Sequence, residues 1–209
     1  MKLAVFGGAG LAGTATVRLA LERGHHVRAL VRGPGTLEGA EVVRGDALDP
    51  DAVAATVAGA DAVVSSLGGY RGPGSIDAGT RTIAAAMRAG GPDRLVVLQG
   101  FHIDFPGDPH NPGRRLVEAF LSVRCRPLLG HGQALGELLR QTSDLSWTLV
   151  RVPLIADGPA SGWARLGVFA LGPWSSVRVG DVAETLVRLA EDGTRVREAP
   201  MLYTPRRGR

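Results

Sequence analysis

Four glycines near the amino terminus carry the clearest chemistry in the chain. They stand in Gly7-Gly8-Ala9-Gly10-Leu11-Ala12-Gly13, where two spacings overlap, Gly8-x-Gly10-x-x-Gly13 and Gly7-x-x-Gly10-x-x-Gly13. Glycine allows a tight turn and lets the backbone come close to a pyrophosphate. The free N–H groups and positive end of a following helix then attract the phosphates. A glycine string has this meaning only between a strand and a helix.

The flanking residues supply that context. Lys2-Leu3-Ala4-Val5-Phe6 is an apolar run suited to a buried parallel strand, and Leu11, Val17, Leu19, Ala20 and Leu21 recur at roughly helical spacing up to Gly24. His26 to Val31 then reads as a second strand. The glycines therefore sit in the strand-turn-helix-strand unit of a dinucleotide site. An NAD site usually has Asp or Glu about 20 residues past the glycines, binding the ribose 2′-hydroxyl. Here Val31-Arg32-Gly33 offers an arginine and no acid. A guanidinium suits a 2′-phosphate, so the reading favours NADP(H) over NAD(H). Arg32 also reads as a plain solvated loop charge.

The 209 residues allow one good core and little more, and 44% hydrophobic residues with 30 glycines fit a single α/β domain over 1–209. No apolar run reaches the ~18 residues of a membrane span. The basic residue at position 2 leads straight into a core strand, so no signal peptide is expected. A single cysteine, Cys125, excludes an internal disulfide and fits a reducing cytoplasm. Despite a pI near 10.1, the formal charge is only +4 and the arginines are scattered, so no nucleic-acid partner is expected. Of 24 basic residues, only Lys2 is a lysine.

Further along, Glu41 to Asp46 reads as a third strand, and Asp49-Pro50-Asp51 caps a helix over 52–58. Ala62 to Leu67 is a fourth strand, 76–89 a helix and Arg94 to Leu98 a fifth strand. Helices are expected over 115–123 and 133–142, with a sixth strand from Trp147 to Val152, ended by Pro153. An irregular insert of about 154–176 follows, then a short strand at 177–179 and a helix over 182–191 with Asp181 as its N-cap. Met201 to Tyr203 adds a last strand. Alternating strands and helices predict a Rossmann-like, doubly wound parallel sheet with helices on both faces and a small substrate-capping region in the C-terminal half.

The glycine turn, Leu30-Val31-Arg32, Gly45-Asp46-Ala47-Leu48-Asp49, the stretch from Gly59 to Gly68 and that from Leu145 to Pro153 together resemble the atypical short-chain dehydrogenase/reductases. Within them the chain is most similar to the compact NAD(P)H-binding group that includes biliverdin reductase B and flavin reductase, and to NmrA-like proteins. The resemblance implies that Gly7, Gly10, Leu11, Ala12 and Gly13 hold the pyrophosphate and Arg32 the 2′-phosphate. Asp46 and Ala47 would flank the adenine, and Leu67, Gly68 and Gly69 would line the ribose and phosphate side. Gln99 and Gly100 would approach the nicotinamide ribose, with Pro153, Leu154 and Ile155 beside the nicotinamide. Asp46 also reads as a turn aspartate and Pro153 as a strand stop.

The chain departs from the wider superfamily in its proton donor. The usual serine after the fifth strand falls in Leu98-Gln99-Gly100-Phe101, and the tyrosine and lysine positions fall near Leu129 and Gln133. The only tyrosines are Tyr70 and Tyr203. A flavin or quinone acceptor takes its proton from water, whereas a carbonyl needs a group that protonates or polarises its oxygen. The candidates are Tyr70, after the fourth strand, and His102, after the fifth, both at the carboxyl end of the sheet. His102 reads equally as a loop histidine and Tyr70 as an aromatic over the cleft. His131 lies in the less regular half and cannot be placed from sequence. Asp108, His110 and His102 match no metal-ligand spacing, so no metal is expected.

Phe101, Trp163, Phe169 and Trp174 would wall a substrate pocket or else belong to core or interface. The leading reading is an NADPH-dependent reductase of a small aromatic, flavin- or quinone-like or carbonyl substrate, cytoplasmic, monomeric or homodimeric. The alternatives are a redox-neutral isomerase, cyclase or dehydratase that retains NADP, and a non-catalytic NmrA-like sensor.

Overall fold

A computed structural model describes residues 1–68, 76–109, 126–172 and 174–205, with the backbone alone at 126–129. β1 (Lys2–Phe6) leads through the glycine turn into α1 (Leu11–Glu22), then β2 (His26–Val31) and β3 (Glu41–Arg44). α2 (Pro50–Val57), β4 (Ala62–Ser65), α3 (Asp77–Arg88) and β5 (Arg94–Gly100) continue the alternation. α4 (Arg126–Gln141) feeds β6 (Ser146–Val152), followed by β7 (Leu154–Ala156), β8 (Arg165–Gly167) and β9 (Ser176–Arg178). α5 (Val179–Asp192) and β10 (Met201–Tyr203) close the described chain.

Among the described residues the main sheet has the order β3-β2-β1-β4-β5-β6-β10-β8, with β7 and β9 forming a separate pair. The ladder from β3 to β10 is parallel, and β8 runs antiparallel to β10. The expected α/β, doubly wound fold is the observed one. The order reverses between β1 and β4, which opens a crevice at their carboxyl ends. No helix among the described residues is long and apolar enough to cross a membrane.

The alternation of side chains along a strand assigns the two faces. Leu3 and Val5 pack with Val17 and Ala20 of α1 and with Val182, Leu186 and Leu189 of α5. Ala4 and Phe6 point the other way, onto Val53 and Val57 of α2, Ile83 and Met87 of α3, and Leu135 and Leu139 of α4. Each large apolar side chain so buried contributes about 1.5–3 kcal/mol relative to exposure.

Several boundaries differ from the expectations for physical reasons. α4 begins seven residues before Gln133, because Gly132 and Gly136, which lower its helical propensity, make room for neighbours. A Cβ on Gly136 would lie 3.0 Å from the Ile103 side chain. Asp181 is not an N-cap. α5 starts at Val179 with Arg178 at the cap and no side-chain cap bond. The Asp181 carboxylate instead accepts from Ser161 N and Oγ, at 2.6 and 2.9 Å, and from Thr204 Oγ1 at 2.7 Å. It thereby ties the insert and the end of β10 to α5. The insert is also more regular than its composition implies, since β8 within it extends the main sheet. Asp49 caps α2 as expected, accepting from Asp51 N and Ala52 N. The helix expected over 115–123 lies outside the described residues.

Candidate nucleotide site at the carboxyl edge

The turn after β1 is closed by contacts that only glycine permits. Gly7 has φ +76°, and a Cβ there would lie 2.6 Å from the Ser66 carbonyl oxygen, at the end of β4. A Cβ on Gly13 would lie 2.1 Å from the Gly7 carbonyl oxygen. Gly10 N donates to Gly7 O at 3.0 Å and Ser66 N to Phe6 O at 2.9 Å, which locks the turn to the switch point. Gly10 is the N-cap of α1, with no side-chain cap bond and no acid in the first turn. The N–H groups of Leu11, Ala12 and Gly13 thus open the helix without intrahelical acceptors, at its positive end. An uncapped helix start at a glycine-closed switch point fits a pyrophosphate.

Arg32 and Asp46 meet beside this turn. Arg32 Nη1 lies 3.6 Å from Asp46 Oδ2, and the two side chains are 56% and 41% exposed. Asp46 Oδ1 also accepts from Leu48 N at 2.9 Å, so Asp46 is a turn residue as well as a rim residue. Sequence reasoning missed Arg44. It is in register with Val31, and its guanidinium holds the carbonyls of Gly33 and Pro34. The signal was a basic residue ending the strand beside the one that carries Arg32.

Across the crevice, α3 presses on two of the expected lining residues. A Cβ on Gly79 would lie 3.0 Å from Leu67 Cδ1 and 3.1 Å from Ala47 Cβ. Gln99 is buried, donates from Nε2 to Leu67 O at 3.1 Å and accepts from Gly100 N at 3.1 Å. It bridges the ends of β4 and β5. Gly68 is exposed. Gly69 and Tyr70 lie outside the described residues. Pro153 is buried at the end of β6, Ile155 is half-buried and Leu154 is 74% exposed.

His102 follows β5 as expected but turns under α4. It is 8% exposed, and its Nε2 is buried without a hydrogen-bond partner among the described residues. The ring lies between two glycines. A Cβ on Gly100 would be 2.5 Å from Nδ1, and one on Gly132 would be 2.8 Å from Nε2. Burial lowers its pKa below the ordinary imidazole value, because desolvation disfavours the cation. Of the two readings the sequence allows for His102, a loop acid and a packed loop histidine, the ring's shielding between these glycines agrees with the second.

The loop after β5 is held by a buried ion pair that sequence reasoning did not find. Arg151 Nη1 and Nη2 donate to the two Asp108 oxygens at 2.5 and 2.7 Å, and Arg151 also donates to Ile103 O and Ala199 O. Both side chains are almost fully buried. Asp108, considered above beside His102 and His110, is engaged by a guanidinium. His110 lies outside the described residues.

The four aromatic residues do not form one wall. Phe101 is buried with Leu171 and Met201, against Phe169 and Tyr203. The Phe169 and Tyr203 rings meet edge to face at 5.1 Å. Trp163 is elsewhere, donating from Nε1 to Pro205 O and lying under the Arg178 guanidinium. Trp174 is 82% exposed.

A further pair stands at the seam of α3 and α4. His131 Nδ1 is 2.8 Å from Asp77 Oδ1, with side chains 25% and 20% exposed. The sole lysine, Lys2, opens β1 at the opposite, amino edge of the sheet.

These features agree with known proteins. A stretch of 2-alkyl-3-oxoalkanoate reductase from Stenotrophomonas maltophilia is 41% identical over 106 residues, 46% of this chain and 32% of that protein. The chain thus matches about a third of that relative's length. A Streptococcus pneumoniae structure provisionally assigned as an NADH-flavin reductase is 27% identical, with 98% of this chain and 100% of that one covered and a TM-score of 0.73. Anaerobillin reductase ChuY from Escherichia coli O157:H7 shares the fold, at 24% identity, full coverage of both chains and a TM-score of 0.77. The sequence profile of the NAD(P)H-binding family matches residues 7–193. With its glycine-closed turn, uncapped α1 and doubly wound sheet, the chain belongs to this NAD(P)H-binding family.

Proposed function

We propose that the protein is an NADPH-dependent reductase that passes a hydride to a small aromatic, flavin- or quinone-like or carbonyl acceptor. The observation that carries this reading is the glycine-closed, uncapped start of α1 at the β1/β4 crevice, with Arg32 and no carboxylate where β2 ends. When bound, the nicotinamide supplies the hydride, and the protein supplies position.

The amides of Leu11, Ala12 and Gly13 receive the pyrophosphate. Arg32 receives the 2′-phosphate in preference to Asp46. Their half-exposed pair is worth about 0–1 kcal/mol, and a phosphate dianion is the stronger, bidentate partner. Asp46 and Ala47 border the adenine, with Arg44 fixing the backbone beside it. Leu67, Gly68, Gln99 and Gly100 bound the ribose on the nicotinamide side, and Pro153 and Ile155 back the ring.

The relatives support two acceptor classes, a carbonyl through the oxoalkanoate reductase and a flavin through the pneumococcal structure. Phe101 and Phe169 line the acceptor side; Trp163 and Trp174 belong to the insert that covers it. The deciding experiment is titration with NADPH and NADH, then loss of nicotinamide absorbance on adding flavin, quinones and aldehydes. Tighter binding of NADPH with turnover is the expected result. One observation favours a second reading: no lysine stands near the site, so the superfamily's Tyr-Lys pair is missing. Tight binding without oxidation by any acceptor would transfer the assignment to a redox-neutral enzyme or an NADP sensor.

A further inference from the structure

Asp181 places a charge where the fold alone calls for none. It stands in the first turn of α5, 2% exposed, and it is not the helix cap. Its partners among the described residues are Ser161 N and Oγ and Thr204 Oγ1, at 2.6, 2.9 and 2.7 Å, with no cation. A buried charge is costly unless it is paired and hydrogen-bonded, and the positive end of α5 offsets part of that cost. Three donors converge on this group, and a carboxylate, which only accepts, serves all three.

Two arms run from this carboxylate. In the first, Ser161 Oγ donates to Asp181 and accepts from Trp163 N at 3.2 Å. The backbone beside it is pressed onto α5: Gly180 N donates to Gly158 O at 3.1 Å, and a Cβ on Gly180 would lie 2.1 Å from Ala160 N. In the second, Thr204 Oγ1 accepts from Arg178 N at 3.2 Å and Thr204 N donates to Ser176 O at 2.9 Å, so Thr204 joins the end of β10 to β9. Its hydroxyl proton is left for Asp181 Oδ2. Tyr203, the preceding residue, meets Phe169 edge to face, and Phe169 packs on the cluster of Phe101, Leu171 and Met201. Phe101 directly follows Gly100, the last residue of β5. The carboxylate thus anchors the insert at Ser161 and, through Thr204, the strand end against which Phe169 rests.

We propose that Asp181 is a positioning residue for the acceptor: by holding Ser161 and Thr204 together it keeps Phe169 seated on Tyr203 and the Phe101 cluster, the apolar face that receives the acceptor's ring. This rests on the reductase reading above. An amide in place of the carboxylate turns an NH₂ group toward one of the arms, which then loses its acceptor, and the insert loosens. The arms belong to α5, the insert and β10, whereas the nucleotide turn belongs to β1 and α1. Loss of an arm therefore weakens acceptor binding and leaves the nucleotide in place.

The test measures NADPH affinity by titration, and kcat and KM with menadione and benzaldehyde, for wild type, Asp181→Asn, Thr204→Val and Thr204→Ser. Asp181→Asn raises the acceptor KM at least fivefold, with kcat and the NADPH Kd within threefold of wild type, the pattern of lost acceptor binding. Thr204→Val shows the same split, and Thr204→Ser, which keeps the hydroxyl, returns KM to within twofold of wild type. This second pair covers the case of an Asp181 variant that folds poorly. Adding Thr204→Val to Asp181→Asn raises KM less than twofold further, because the arm is already cut. An unchanged KM in either Asp181→Asn or Thr204→Val, a parallel loss of NADPH affinity in Thr204→Val, or a Thr204→Ser that behaves as Thr204→Val overturns the proposal and leaves the reductase reading intact. A wild type that binds NADPH and reduces neither acceptor overturns the reductase reading and the proposal with it.

Discussion

Gly13 stands so close to Gly7 that a methyl group on it would lie 2.1 Å from the Gly7 carbonyl oxygen. The contact is backbone against backbone, so no side-chain rotation relieves it. Gly13→Ala must push α1 away from the β1 turn and displace the amides proposed to receive the phosphates. The expected result is a loss of about 1–3 kcal/mol in stability, as for other overpacked sites, and at least a tenfold loss of NADPH affinity. Chemical denaturation and fluorescence titration measure the two effects. Gly24→Ala is the control, because nothing lies within 4 Å of its Cβ position and its φ of +78° strains the backbone without reaching the site. It lowers stability but not affinity.

The proposed preference for NADPH rests on Arg32. Its pairing with Asp46 is long and half-exposed, at 3.6 Å, so removing the guanidinium costs the fold little. Arg32→Ala is expected to weaken NADPH binding 10- to 100-fold, about 1.4–2.7 kcal/mol, with NADH affinity changed less than threefold. Equal loss for both nucleotides in parallel titrations would show that Arg32 does not read the 2′-phosphate.

Much of this site was legible in the sequence, for reasons that are local. The β1 turn is written in residues 2 to 13, and the Asp49 cap in two adjacent residues, so spacing alone reveals them. What stayed hidden depends on residues distant in sequence. Arg151 and Asp108 are 43 positions apart, and Asp181 meets Ser161 and Thr204 across 20 and 23. The start of α4 before Gln133 is not written locally either, because the space that Gly132 and Gly136 leave is filled by Ile103, about 30 positions away. The pairing of His131 with Asp77 likewise needs two helices side by side.

The Arg151–Asp108 pair makes a further prediction. Both groups are buried, and the guanidinium also holds Ile103 O and Ala199 O. Asp108→Asn leaves a buried cation without its counter-charge, and breaking such pairs costs about 3–5 kcal/mol. The loop from Phe101 to Asp108 should then loosen, with faster amide exchange at Ile103 and Phe105. An unchanged melting temperature would refute a structural role.

Acid stability should depend on Asp144. The Arg88 guanidinium bonded to it lowers its pKa from 3.8 to about 2, joining the end of α3 to the turn before β6. A carboxyl whose folded pKa lies below its unfolded value contributes in full above the unfolded value. It loses that contribution as pH falls toward the folded one. Stability therefore declines between pH 4 and 2 through this group. Asp144→Asn removes that part of the slope, as read by urea unfolding at successive pH values.

His102 acts in a different pH window with the same sign. Its folded pKa lies below the ordinary 6.5 because burial disfavours the cation. As pH falls below about 6.5 the unfolded chain takes up a proton that the folded chain refuses, and stability drops. His102→Gln should flatten this part of the profile. The glycine beneath the ring gives a second handle. A Cβ on Gly132 would lie 2.8 Å from Nε2, so Gly132→Ala should destabilise by about 1–3 kcal/mol. Adding His102→Ala removes the atoms it strikes. The double variant should then cost less than the sum of the two single ones, a coupling measurable by a double-mutant cycle. Strict additivity would mean that α4 does not rest on His102.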